Sequence, residues 1–204
     1  PGENKWTGTG GGVSGFIIHD LVWDGAGLYA GTSYNGVWRY DPWTGMWTDT
    51  GGGVSGFNID GLAWDGKRLY AGTWGHGVWR YDPKAETWAD TSGGFGGNYV
   101  YSLEWDGAGL YAGTEAGAWR YAPGTSTWTN TGGGVRLYSV YSLQWDGAGL
   151  YAGTFGHGVW HVISSYAIEA SADPQAGGVI NGASTWNDTG GPGTGYDTYG
   201  MAWD

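Results

Sequence analysis

With 204 residues, the chain has the length of one domain with a sizeable core and is short for two. Its 45 glycines, 16 tryptophans and 15 tyrosines join a turn-forming residue to large flat rings that pack on strand surfaces, and this predicts an all-β fold. Eight basic against nineteen acidic residues give a formal charge of -11, which repels phosphate backbones and argues against nucleic acid as a partner. Cysteine is absent, so neither a disulfide framework nor a thiolate metal site is available, and no segment is long and apolar enough to predict membrane insertion.

Along the chain, one block recurs. Trp6 stands in the same turn-to-strand setting as Trp47, Trp88 and Trp128, so the residues around it are read as a fourth strand that opens the chain. The first whole unit then predicts four short strands over residues 17–23, 28–32, 36–40 and 46–49. Turn chemistry follows each strand: Asp24-Gly25 after the first, and Asp41-Pro42 through Gly45 after the third. The block Trp-Asp-Gly-x-x-Leu-Tyr-Ala-Gly-Thr returns at Trp23, Trp64, Trp105 and Trp145, a period of 41, 41 and 40 residues. A second register holds Trp38, Trp79, Trp119 and Trp160. No helix fits between the turn signals, and a four-stranded repeat of this length predicts a blade of a small β-propeller.

The pattern breaks once. From Trp160 to Trp186 the spacing is 26 residues where the other units have nine, which marks an irregular insertion at about 163–182 within a single domain spanning 1–204. Residues 166–171 and 178–181 are the strand candidates inside it. Register resumes at Trp186, and the segment ending in Trp203 reads as the first strand of a fifth unit. Five blades are therefore expected, or else an incomplete ring excised from a longer array. Closure would pair the strand around Trp6 with the strand around Trp203.

Resemblances follow from these motifs. The runs Trp38-Arg39-Tyr40-Asp41-Pro42 to Trp47, Trp79-Arg80-Tyr81-Asp82-Pro83 to Trp88, and Trp119-Arg120-Tyr121-Ala122-Pro123 to Trp128 resemble kelch-type blades. The tryptophan, aspartate and glycine followed by Leu-Tyr resemble the blades of tachylectin-like propeller lectins, which implies carbohydrate binding. Residues 165–182 resemble small β-rich repeats that decorate bacterial surface proteins. That likeness and a composition rich in Gly, Thr, Ser and Trp point to an extracellular or cell-surface location.

Residues repeated in every unit are read as packing: Trp23, Trp38 and Trp47 with their equivalents between blades, where the tryptophans are expected to make the core, and Arg39, Arg80 and Arg120 against a neighbouring ring or an acidic turn. Residues that vary between units are the ligand candidates. The loop after the second strand carries Tyr34 with Asn35, Trp74 with His76, and Phe155 with His157, each a ring beside a polar group, as a sugar face requires. At the start of the inner strand, His19, Asp60, Tyr101, Tyr141 and Tyr199 are placed around the mouth of a central channel. Most acidic residues fall at repeated turns, so no carboxylate pair is set for glycoside hydrolysis, and the histidines show no short metal-ligand spacing except His157 with His161, which straddle a predicted strand and face opposite or outer directions. The expectation is a non-enzymatic glycan-binding module without cofactor or metal. The alternative is a protein-interaction or structural surface module that self-associates through an incomplete blade.

Overall fold

The computed structural model describes residues 5–95, 98–163 and 187–188. Among these residues, four antiparallel sheets of four strands follow one another, each a consecutive up-and-down meander. Unit I holds β1 (Ile18–Trp23), β2 (Leu28–Thr32), β3 (Val37–Asp41) and β4 (Met46–Asp49). Unit II holds β5 (Ile59–Trp64), β6 (Leu69–Thr73), β7 (Val78–Asp82) and β8 (Thr87–Asp90). Unit III holds β9 (Val100–Trp105), β10 (Leu110–Thr114), β11 (Gly117–Ala122) and β12 (Thr127–Asn130). Unit IV holds β13 (Val140–Trp145), β14 (Gly149–Thr154), β15 (Val159–Ile163) and β16 (Asn187–Asp188). The fold is all-β and propeller-like: β1 packs on β5, β5 on β9 and β9 on β13, and all four first strands line one central cavity.

The turns explain why the strands stop where they do. Asp24 Oδ1 accepts from the backbone N–H of Ala26 and Gly27 at 2.7 and 2.5 Å, and Asp65, Asp106 and Asp146 repeat this bond pair. The glycine after each aspartate has a positive φ, 96° at Gly25 and 89° at Gly66, where a side chain would be strained. On the opposite side, the buried Thr32, Thr73, Thr114 and Thr154 each donate Oγ1–H to the carbonyl of a glycine that closes the second turn, at 2.7 to 2.8 Å. The repeated Ala-Gly-Thr is thus a turn device as well as a strand.

Short 3-10 turns, Gly11–Val13, Gly52–Val54 and Gly134–Leu137, lead into units I, II and IV, in a sequence read as free of helix. Trp38 lies flat over the first of them, where a Cβ on Gly12 would meet its ring at 2.6 Å, and Trp79 and Trp160 repeat the contact over Gly53 and Gly134. Between units, Trp64 stacks on Tyr29 with centroids 6.4 Å apart, and Trp105 on Tyr70 at the same distance. Arg39 sits 5.5 Å over the Tyr29 ring with Nη2 3.4 Å from Asp24, so it meets both an aromatic and an acidic turn residue, as Arg120 does with Tyr111 and Asp106.

Two expectations change. The core is not built chiefly of tryptophan: the largest fully buried side chains are Tyr29, Tyr70 and Tyr121, with leucine and valine around them, and of the repeated tryptophans among the described residues Trp128 alone is buried while the others keep part of the ring in water. An indole fills one side of a sheet interface and commonly leaves an edge in water, whereas Tyr29 and Tyr70 on the second strand are wholly covered. Second, Lys5 to Gly10 forms no strand and Trp6 is 98% exposed, although Trp47 Nε1 donates to Thr9 Oγ1 as Trp88 Nε1 does to Thr50 Oγ1. The segment keeps the sequence of a fourth strand but has no sheet to join among the described residues. β15 runs to Ile163, where the insertion expected at about 163–182 begins. The register after the insertion is as read: Trp160 faces Asp188 and His161 faces Asn187, matching Trp38 with Asp49 and Arg39 with Thr48. The strand candidates at 166–171 and 178–181, Tyr199 and the segment ending in Trp203 lie outside the described residues.

Candidate functional site

Every inner strand carries the same irregularity. Pairing slips by one residue between Ile18 and Asp20, Ile59 and Gly61, and Val140 and Ser142, and the same slip occurs opposite Gly113 and Thr114 in unit III. The bulged residues are His19, Asp60, Tyr101 and Tyr141. A bulge inserts one unpaired residue and re-aims its side chain, and all four line the central cavity. They come together in pairs: His19 Nε2 lies 3.9 Å from Asp60 Oδ1, and Tyr101 stacks on Tyr141 with centroids 4.4 Å apart. Burial, aided by the facing Tyr141 and Glu115, pushes the Tyr101 hydroxyl up to about 12, so it stays neutral at any physiological pH.

The loop candidates divide. Trp74 and Phe155 occupy the same position, are both half exposed, and extend the tyrosine pair at the cavity mouth: Trp74 meets Tyr101 edge-on at 6.2 Å, and Phe155 lies 5.8 Å from Tyr141. Trp74 also meets Tyr99 of unit III edge-on at 5.2 Å, so this ring contributes to contact between units. His76 and His157 have local partners. Each stacks on the ring ahead of its own inner strand, His76 on Phe57 at 3.9 Å and His157 on Tyr138 at 3.8 Å, and each Nδ1–H donates to a carbonyl two residues back. Tyr34 does not match Trp74 in register. It stands where Gly75 and Gly156 stand, at a φ of 59°, and Ser33 takes the position of the ring, bonded at 2.6 Å to His19. Asn35 aligns with the histidines and its Nδ2 donates back to the Ser33 carbonyl.

The cavity has a volume of about 840 Å³ and holds acidic groups that the sequence reading passed over. Asp20 bridges units I and II, accepting at 2.6 Å from Leu62 N–H, and Glu104 bridges units III and IV, accepting at 3.2 Å from Trp145 N–H. Burial pushes Glu104 up to about 7, with Asp20 and Asp106 adding repulsion, and burial raises Asp20 and Asp60 as well. Self-comparison carries the signal for both: Gly61, Ser102 and Ser142 replace Asp20 in the other units, and Val22, Ala63 and Gln144 replace Glu104. Among the described residues no group of three or more His, Asp or Glu is close enough to hold a metal ion.

No protein-family model matches the chain, and no curated protein does. Solved structures do. The extracellular domain assigned to a one-component system of B. thetaiotaomicron matches with a TM-score of 0.62 at 24% identity, over 74% of this chain and 21% of that one. The extracellular domain assigned to a hybrid two-component system of the same organism matches with a TM-score of 0.59 at 20% identity, over 73% and 21%. A computationally designed protein, Ika4, matches with a TM-score of 0.59 at 14% identity, over 72% and 91%. The chain thus spans about a fifth of the bacterial proteins it matches. These likenesses show the repeated four-stranded antiparallel architecture.

Proposed function

We propose that the chain is a non-enzymatic interaction module that works at the cell exterior through protein contact, including contact between its own copies. The observation that supports this is the outer face of unit I. Leu21 is 53% exposed, whereas its equivalents Leu62, Leu103 and Leu143 are 4 to 6% exposed because the preceding unit covers them. Ile18 and Trp23 are exposed on the same face, and Trp23 with Trp43 flanks a notch of about 400 Å³ beside it. A contiguous apolar sheet face of this kind marks a protein contact surface. The extracellular setting draws support from the extracellular domains that share the architecture. In this reading the four units belong to a five-bladed or longer propeller whose unit I receives a further sheet.

Sedimentation velocity from about 1 to 100 µM tests it, a range that brackets ordinary self-association constants. Wild-type chain should associate with rising concentration and Leu21→Lys should not. A wild type that sediments as a monomer throughout sinks the reading. Glycan binding remains a second reading, supported by the half-exposed Trp74 and Phe155 at the cavity mouth and by the lectin resemblance of the repeats. A glycan array tests it, with Trp74→Ala as the control that should lose any signal.

A further inference from the structure

Among the described residues, three carboxylates from three units, Asp20, Asp60 and Glu104, line the cavity and no lysine or arginine does; His19, 3.9 Å from Asp60, is the one of them able to carry positive charge. Each of these carboxylates is partly withdrawn from water, and Asp20 and Glu104 lie beside no cation among the described residues, a costly arrangement for a charged group. Polar acceptors around them are also unmatched. Asn58 donates its Nδ2–H to Asp60 Oδ1, while its own buried Oδ1 has no protein partner. Ser142, 3% exposed, lines the same cavity with its Oγ equally unpartnered. The mouth adds rings whose faces attract cations, Trp74, Tyr101 and Tyr141. Because the acids are too dispersed for a metal ion, a cation that spans the cavity with several N–H donors suits them better than a point charge.

We propose that the central cavity is a binding site for alkylammonium groups, held by Asp20, Asp60 and Glu104 and screened from water by Trp74, Tyr101 and Tyr141. Two sources share that chemistry, a free diamine and the side chain of a lysine presented by a peptide.

Titration calorimetry with cadaverine, backed by tryptophan fluorescence, tests the proposal on the full chain. Pentanediol, of the same length but uncharged, is the control. Saturable binding of cadaverine with no response to the diol is expected, weakened about tenfold by Asp60→Asn and by Glu104→Gln, each the loss of one close charge in a partly dry site. Both variants keep an oxygen to accept the existing backbone or amide bond, and a thermal melt confirms that they fold. A blocked peptide with one central lysine distinguishes the sources: binding by the peptide alone assigns the site to a protein ligand, binding by cadaverine alone to a small molecule. Silence from both ligands up to about 10 mM, where affinity is negligible, overturns the proposal. So does an equal response to the diol, or undiminished binding by the two variants together.

Discussion

Single residues in this chain divide by whether they recur. Trp79 recurs, lies over Gly53 and borders the buried cluster of unit II, so Trp79→Ala should cost on the order of 3 kcal/mol of stability as a cavity opens. Trp74 is unique to its unit and half exposed, yet it meets Tyr99 and Tyr101 of the next unit. Trp74→Ala should therefore cost about 1 kcal/mol, the worth of edge-on ring contacts, and not the near-zero expected of a bare loop ring. Urea unfolding of both variants measures the difference; equal losses would mean that Trp74 is core. Glu104 supplies a prediction in pH. Its folded value, about 7, lies above its ordinary 4.5, so the folded state holds the proton more tightly than the unfolded chain between those values. Stability should fall as pH rises through that window and level off above it, and Asp20 and Asp60, also raised, act in the same direction at lower pH. Denaturation midpoints of wild type and Glu104→Gln across the window should show a shallower decline in the variant. A wild type that gains stability there would contradict the burial assigned to this carboxyl.

Elements of the fold were legible wherever one position did one job. The Asp-Gly turns, the Leu-Tyr-Ala-Gly-Thr strand and the return of register at Trp186 could all be read from the spacing, because each is a local device copied along the chain. The bulge was not read. Yet Ile18 and Leu21 stand three apart and face the same way, which strict alternation forbids, so the pattern Ile-x-x-Leu-x-Trp already implies an extra residue. The place of the tyrosines was missed for a different reason: size and number drew attention to tryptophan, while burial depends on lying between two sheets. Tyr34 stands out of register with Trp74 and Phe155, at the glycine position of the loop and with a positive φ, which the ring-plus-polar pattern alone does not reveal. Of the acids of the candidate site, Asp60 was legible as a channel residue, whereas Asp20 and Glu104 were passed over because acidic residues at turns set the expectation for the rest. The turn itself is testable. Asp65→Ala removes the acceptor for Lys67 and Arg68 N–H and should cost about 1 kcal/mol, measured by thermal unfolding.

At the scale of the molecule, the units differ in what covers them and hardly in what they are made of. Units II, III and IV bury the equivalents of Ile18 and Leu21, which unit I exposes, and partly cover those of Trp23. Two of the three interfaces repeat one design, a second-strand tyrosine of one unit against a first-strand tryptophan of the next, seen in Tyr29 with Trp64 and Tyr70 with Trp105. Stability in such arrays is roughly a sum of unit terms and neighbour terms. Leu62→Ala, which weakens an interface, should therefore destabilise by about 2 to 5 kcal/mol, whereas Leu21→Ala should change stability little in the isolated chain. Chemical denaturation of the pair gives the comparison, and equal effects would mean that unit I is covered in solution.

The bulge in each inner strand also separates two demands that most sheets force together. Alternation normally ties every residue facing a ligand to neighbours facing the core, so a change in one disturbs the other. Here the extra residue sits outside the alternation, and the chain already places an imidazole, a carboxylate and two phenols at His19, Asp60, Tyr101 and Tyr141 on nearly identical sheets. The four positions behave as interchangeable sockets on a common frame: the chemistry of the lumen can be rewritten one socket at a time while the scaffold beneath keeps its shape.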